Sequence, residues 1–202
     1  MIVDKPAITS EPIHELLAGR WSPRAYDSDQ ALTREQITAL LEAARWAPSC
    51  FGDEPWRFVV FDRSRDPDNW RRACDCLSEG NQRWACDAPL LLAALADSRY
   101  RTRESHNRWA QYDTGAASMS IVLQAVALGL VAHQMGGFDA ARLAAAAGVP
   151  ERFTPMAMIA VGYPGDPDRL PEDLQEREFA ERNRQPLSEI AFTGRWESPY
   201  LD

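Results

Sequence analysis

Residues 113 to 132 constrain this chain more than any other stretch. From Asp113 to Ala132 the sequence is almost wholly apolar and rich in small residues: Gly115, Ala116, Ala117, Ser118, Ser120, Ala125, Ala127 and Gly129. Its length approaches that of a bilayer-spanning helix. However, Ser118, Ser120 and Gln124 interrupt it, and no basic flank sets an orientation. It reads instead as a helix apolar on every side, which a core or a neighbouring subunit must cover. Small side chains let helices approach closely, so a second copy of the chain is the expected partner. Ala117 and Ala125 are candidates for the shared face.

The rest of the chain reads as short helices and strands in mixed order. Ser10 and Pro12 predict a helix from Glu11 to Ala18, closed at Gly19. Thr33 and Gln36 form a capping box ahead of Ile37, Leu40, Leu41 and Ala44, and Pro48 stops that helix. Trp56 to Phe61 and the apolar run Pro89 to Ala96 predict buried strands. A helix opens at Asp66-Pro67, and a short one spans Asn81 to Cys86. Leu130 to Met135 and Met156 to Val161 read as strands, with a helix from Ala140 to Ala147 closed by Gly148 between them. Glu172 to Arg182 reads as a charged, exposed helix. A length of 202 residues fits a single domain over residues 1–202, and this order of elements gives an α+β or α/β sandwich.

The formal net charge of −8 disfavours nucleic acid and anionic membrane as partners. Lys5 is the sole lysine among 22 basic residues, so any anion held by a side-chain cation is held by arginine. No apolar leader opens the chain at Met1 to Thr9, and a reducing, cytoplasmic setting is expected for Cys50, Cys74, Cys76 and Cys86. Their spacing is not a zinc pattern and no histidine lies close, so no metal is expected.

Dinucleotide, P-loop and hydrolase fingerprints are absent. Three stretches carry a specific pattern. The first is Arg20-Trp21-Ser22-Pro23-Arg24-Ala25-Tyr26. The second runs from Glu42 to Phe58 through Pro48-Ser49-Cys50-Phe51-Gly52-Asp53-Glu54-Pro55-Trp56. The third is Gly136-Gly137-Phe138-Asp139, followed by Val161-Gly162-Tyr163-Pro164 and Arg182-Asn183-Arg184-Gln185-Pro186-Leu187. In this order, from Ile13 to Ile190, the chain resembles the FMN-dependent nitroreductase family. The resemblance implies a central mixed, mostly antiparallel sheet wrapped by helices. It also implies an intertwined homodimer with FMN at the subunit interface, NADH or NADPH as donor, and a small organic acceptor.

The resemblance also implies a site. Arg20 and Arg24, with Ser22 and Trp21 between them, match the family's first phosphate-binding set, and Arg182 with Arg184 its C-terminal pair. Guanidiniums give charge-assisted, partly bidentate contacts to a phosphate. Pro48, Ser49 and Cys50 would lie along the flavin ring. Gly52 and Glu54 stand where the family commonly has Asn and Gln, which removes an amide and adds a carboxylate. Asn81 matches a residue that reaches the pyrimidine edge. Met135, Gly136 and Gly137 match the turn that aims a backbone N–H at flavin N5, with Gly136 replacing a frequent acid. Phe51, His106 and Trp109 are candidates for the substrate wall. No side chain is required as a catalytic acid, because the cofactor carries the redox chemistry. Two other readings stay open: a flavin store or sensor with little turnover, and a same-fold reductase acting on an enal or a halogenated aromatic.

Overall fold

Four strands carry the fold: β1 (Trp56–Asp62), β2 (Leu90–Asp97), β3 (Val131–Met135) and β4 (Phe153–Gly162). The computed structural model describes residues 3–103 and 105–200. The strands lie in the order β1-β2-β4-β3, and every neighbouring pair is antiparallel. The sheet described in one chain is therefore antiparallel throughout, in keeping with the mostly antiparallel sheet expected. Strand β2 is buried along its whole length, which explains why Leu90 to Ala96 lacks the alternation of a half-exposed strand.

Alternate residues of the sheet feed two cores. On one face Leu91, Ala93, Leu95, Met158 and Ala160 pack with Ala73, Leu77, Trp84 and Leu143. These come from α3 (Pro67–Asp75), the turn after it, α4 (Glu79–Ala85) and α6 (Ala140–Ala147), which follow α1 (Glu15–Gly19) and α2 (Arg34–Arg45) and flank α5 (Ala110–Ala127). On the other face Leu90, Leu92, Ala94, Ile159 and Val161 meet Leu40 and Ala44 of α2 and Ala117, Ile121 and Ala125 of α5. Helices α7 (Glu172–Phe179) and α8 (Leu187–Ile190) lie in the C-terminal segment.

Local signals set most element ends. Thr33 and Gln36 form the reciprocal capping box on α2. The Asp66 and Asp139 side chains accept N–H bonds at the starts of α3 and α6, and Gly148 ends α6 at φ 62. Three expectations need correction. Helix α1 begins at Glu15, not Glu11, with the His14 Nδ1 accepting the Leu16 N–H at 3.2 Å. Ser10 and Pro12 thus lie ahead of the helix, and the imidazole supplies the cap. Helix α4 begins at Glu79, two residues before the expected start.

The third correction concerns α5. Ala117 and Ala125 are both 0% exposed within one chain, packed onto the sheet. They do not face a partner. The helix leaves its other side open through exposed Gly115 and Ala127 and half-buried Ala116, Met119 and Leu123. Among the described residues no helix is long and apolar enough to cross a membrane.

The segment after α1 is fastened to the loop after β4. Tyr26 bridges to Pro164, the Gly165 N–H donates to Ala25 O at 2.9 Å, and the Tyr26 hydroxyl donates to Ala160 O at 3.2 Å. The backbones meet so closely that a Cβ on Gly165 would sit 2.3 Å from the Tyr26 carbonyl. Gly165→Ala is expected to lower unfolding free energy by roughly 1–3 kcal/mol, the usual cost of overpacking a rigid contact. Chemical denaturation of both proteins measures it, and an unchanged midpoint would show that the contact yields freely.

Candidate active site

Arg20, Trp21, Ser22 and Arg24 leave α1 in an extended run, and Arg182 and Arg184 follow α7. The fold brings all six to one open cavity of about 370 Å³, which Lys5, Arg177, Glu181 and Asn183 also line. The cavity is built by the chain rather than by chance proximity. Glu178 of α7 is 1% exposed, and its carboxylate accepts the Arg24 N–H at 3.0 Å and the Ala25 N–H at 3.2 Å. Lys5 donates to Glu178 O at 2.8 Å and lies over the Trp21 ring at 4.6 Å. Arg182 donates to the carbonyls of Lys5 and Ala18.

The cations gathered here strain against one another. Burial, then the charges of Arg182 and Arg184, shifts the Arg20 pKa down from its ordinary value. Arginine nevertheless stays protonated, so the repulsion persists in the protein. Arg20 donates to Ser22 Oγ at 3.3 Å. Among the described residues Arg20, Arg182 and Arg184 have no carboxylate within 4.0 Å. Several forked donors and a hydroxyl around an open space, three of the guanidiniums without a paired acid, fit a phosphate monoester dianion.

Asn81, Met135, Gly136 and Gly137 form a second group beside this cavity. Asn81 Nδ2 donates to Gly137 O at 2.9 Å, and the Ser78 N–H donates to the same oxygen at 2.9 Å. The expected role for Asn81, reaching a ligand edge with its amide, is thus partly taken: its donor holds the turn. A Cβ on Gly137 would lie 2.8 Å from that nitrogen, so close approach explains this glycine. The two groups are linked through β3. His133 Nδ1 lies 3.0 Å from Pro23 O, and its ring packs 4.5 Å from Trp84, over which Arg24 is placed at 5.9 Å.

The loop holding Pro48, Ser49, Cys50, Gly52 and Glu54 is a third group, on the α2 and α5 side of the sheet. Asp113, 4% exposed in the first turn of α5, accepts the Cys50 N–H at 3.0 Å. Ser49 Oγ accepts the Glu54 N–H at 3.1 Å. Phe51, Gly52 and Glu54 all have left-handed backbones, at φ 57, 66 and 51. Glycine is the least strained choice at such a position, which gives Gly52 a backbone reason to replace an amide residue. Phe51 is 85% exposed, and His106 and Trp109 lie on the surface nearby in the chain's 98–109 segment. No hydrogen bond, ion pair or ring contact joins this loop to the cavity or the Gly137 turn among the described residues.

Sequence reasoning missed Glu178, Lys5, Asp113 and His133. Glu178 carried a signal, since it falls four residues after Leu174 and so shares its buried face. The helix expected to be exposed therefore buries one edge. Lys5 and His133 carried none, because their contacts are made only in three dimensions.

The model of the nitroreductase family matches residues 17–74 and 67–163. A Bacillus subtilis protein named "Putative NAD(P)H nitroreductase YdgI" is 27% identical over 206 residues, covering 82% of this chain and 97% of its own. An uncharacterized 15.4 kDa protein of Mycolicibacterium smegmatis is 41% identical over 123 residues, 61% of this chain and 81% of that one. A solved structure described as an oxidoreductase containing FMN aligns at TM-score 0.90 and 35% identity, over 98% of this chain and all of that one.

His133 generates a pH prediction. Burial, reinforced by the Arg24 and Arg20 charges and opposed by hydrogen bonding to Pro23, lowers its pKa to about 4. The unfolded chain takes up this proton near pH 6.5, before the folded one does. The histidine's contribution is therefore intact above pH 6.5 and is lost as pH falls towards 4, by at most about 3 kcal/mol. His133→Asn, which keeps a donor for Pro23 O, should flatten that slope in urea unfolding at stepped pH. Identical slopes would remove His133 as the cause.

Proposed function

The chain belongs to the nitroreductase family, and from that premise we propose that it is an FMN-dependent oxidoreductase. It takes hydride from NADH or NADPH and reduces nitroaromatic, quinone or related small organic acceptors. The observation that carries this reading is the cavity of Arg20, Ser22, Arg24, Arg182 and Arg184, in which Arg20, Arg182 and Arg184 have no carboxylate within 4.0 Å among the described residues. The relative whose description includes FMN, matched over nearly the whole chain, supports it.

Bound FMN supplies the redox chemistry, accepting hydride and returning electrons to an acceptor. The chain's own residues bind and orient. The arginines hold the phosphate, and Trp21 and Lys5 close that end. Asn81 and Ser78 fix the Gly137 carbonyl, which sets the direction of the neighbouring backbone N–H groups. Asp113 holds the Cys50 amide and with it the Pro48–Cys50 stretch. No side chain is needed to move a proton at a defined atom. The bound cofactor would serve donor and acceptor in turn, which would give ping-pong kinetics. Rapid anaerobic bleaching of the flavin band by NADPH or NADH separates this reading from a flavin store. Purified protein should be yellow and release FMN, not FAD, on denaturation.

The division of the candidate residues supports a homodimer. Within one chain the Pro48–Glu54 loop is held against the first turn of α5 and shares no hydrogen bond, ion pair or ring contact with the cationic cavity among the described residues. A second copy can bring its loop to the first copy's cavity, across the open face of α5. Exposed Trp46, Tyr112, Phe179, Ile190 and Trp196 add apolar surface for it. Leu123→Arg is expected to give monomers with weakened flavin retention, read by light scattering coupled to absorbance. A native monomer loaded with flavin would contradict the dimeric site.

Arg20 tests the cavity directly. A charge-assisted hydrogen bond contributes roughly 1.5–3 kcal/mol, so Arg20→Ala should weaken FMN binding about ten- to a hundredfold. Arg20→Lys should recover only part, because a point charge cannot reproduce the fork. Quenching of flavin fluorescence during titration measures it at one salt concentration. Equal dissociation constants would show Arg20 to be only a surface charge.

A further inference from the structure

In a chain of net charge −8, the ten residues from Arg99 to Arg108 hold four arginines and one acid, Glu104. The described residues of this stretch, 99–103 and 105–108, pair as a hairpin. Arg99 bridges to His106, the Tyr100 N–H donates to Ser105 O at 3.1 Å, and the Asn107 N–H donates to Ser98 O at 2.8 Å. Asp53, 4% exposed, fastens it to the Pro48–Glu54 loop by accepting the Arg101 N–H at 2.9 Å and Asn107 Nδ2 at 3.0 Å. Asp97 accepts the Arg99 N–H at 3.2 Å and pairs with Arg152. These two buried carboxylates are thus committed to backbone, amide and Arg152 donors. Among the described residues the guanidiniums of Arg101, Arg103 and Arg108 have no carboxylate within 4.0 Å.

Two rings stand against one of these cations, Arg103, while Arg108 lies over Trp109. Phe51 is 85% exposed and keeps φ 57, a backbone state that a bulky residue holds only when its surroundings impose it. Tyr100 meets it edge-on, with centroids 6.4 Å apart. Arg103 lies 3.9 Å from the Tyr100 centroid and 5.4 Å from that of Phe51. A flat apolar surface beside a forked cation suits a ligand that is both planar and phosphorylated.

We propose that Phe51, Tyr100, Arg101 and Arg103 form the site for the 2′-phosphorylated adenosine end of NADPH. The rings stack on adenine and the guanidiniums take the phosphomonoester, so NADPH is selected over NADH. This rests on the oxidoreductase reading, in which Pro48–Cys50, adjoining Phe51, borders the flavin ring.

The test pairs binding with turnover on the full-length holoprotein. By calorimetry, 2′,5′-ADP should bind at least about tenfold tighter than 5′-AMP, as one charge-assisted contact predicts. Arg103→Ala should reduce that preference about tenfold. Arg101→Ala, whose backbone N–H to Asp53 survives the change, should reduce it as well, and Phe51→Ala should weaken both nucleotides alike. In steady state the ratio of kcat/KM for NADPH over NADH should fall with the same arginine variants. Equal binding of 2′,5′-ADP and 5′-AMP by the native protein overturns the proposal. So does an arginine variant that lowers both donors equally, or one that shifts only KM for an anionic acceptor such as nitrobenzoate. Failure of the oxidoreductase reading shows separately, as selective 2′,5′-ADP binding without oxidation of either donor.

Discussion

Glu178 is a buried carboxylate whose oxygens accept backbone N–H groups from Arg24 and Ala25. A buried carboxylate left unpaired is costly, whereas one accepting amide donors is stable. The bonds tie α7 to the extended run after α1, so that two basic segments 160 positions apart in sequence converge. Arg182 reaches back to Lys5 and Ala18, and Lys5 reaches forward to Glu178 O. Because its oxygens already accept N–H groups, the acid holds the cations' frame without occupying them. The Arg24 guanidinium stands 4.0 Å away, at the outer limit of an ion pair.

Helix α5 bears on separate parts of the candidate site: α1, which leads into Arg20, packs on it, and its first turn holds the Pro48–Glu54 loop. Its buried face packs against β2, β4 and α2, while Asp113 in its first turn positions Cys50. Its open face is the flat, small-residue surface available to a second copy. In the proposed dimer, assembly and the placing of the loop would involve the same element.

Much of this was legible in the sequence, for physical reasons. The caps of α2, α3 and α6 are local, made between residues three apart, so their composition reveals them. The all-apolar run of β2 announces a strand covered on both sides. The arginines of the cavity were legible only as an ordered motif, since nothing local says that residues 20 and 182 meet. His14 as a cap was hidden, because Ser10 and Pro12 offer the more usual signal four and two residues earlier. The sidedness of α5 was hidden as well. When nearly every residue is apolar, the pattern carries no direction, and only packing shows that Ala117 and Ala125 face inward.

Lys5 is the chain's single lysine, and the fold places it at the rim of the cationic cavity, over Trp21. Burial lowers its pKa, with the Glu178 charge opposing and the Arg182 and Arg24 charges reinforcing the shift. More of it is the free, nucleophilic amine at neutral pH than of an ordinary lysine. Acylating or reductively alkylating reagents that spare guanidinium thus meet one side-chain amine in the whole molecule, beside the α-amino group. Labelling of side-chain amines is confined by composition to Lys5, and a dye or an affinity handle carried there reports from the mouth of the cavity.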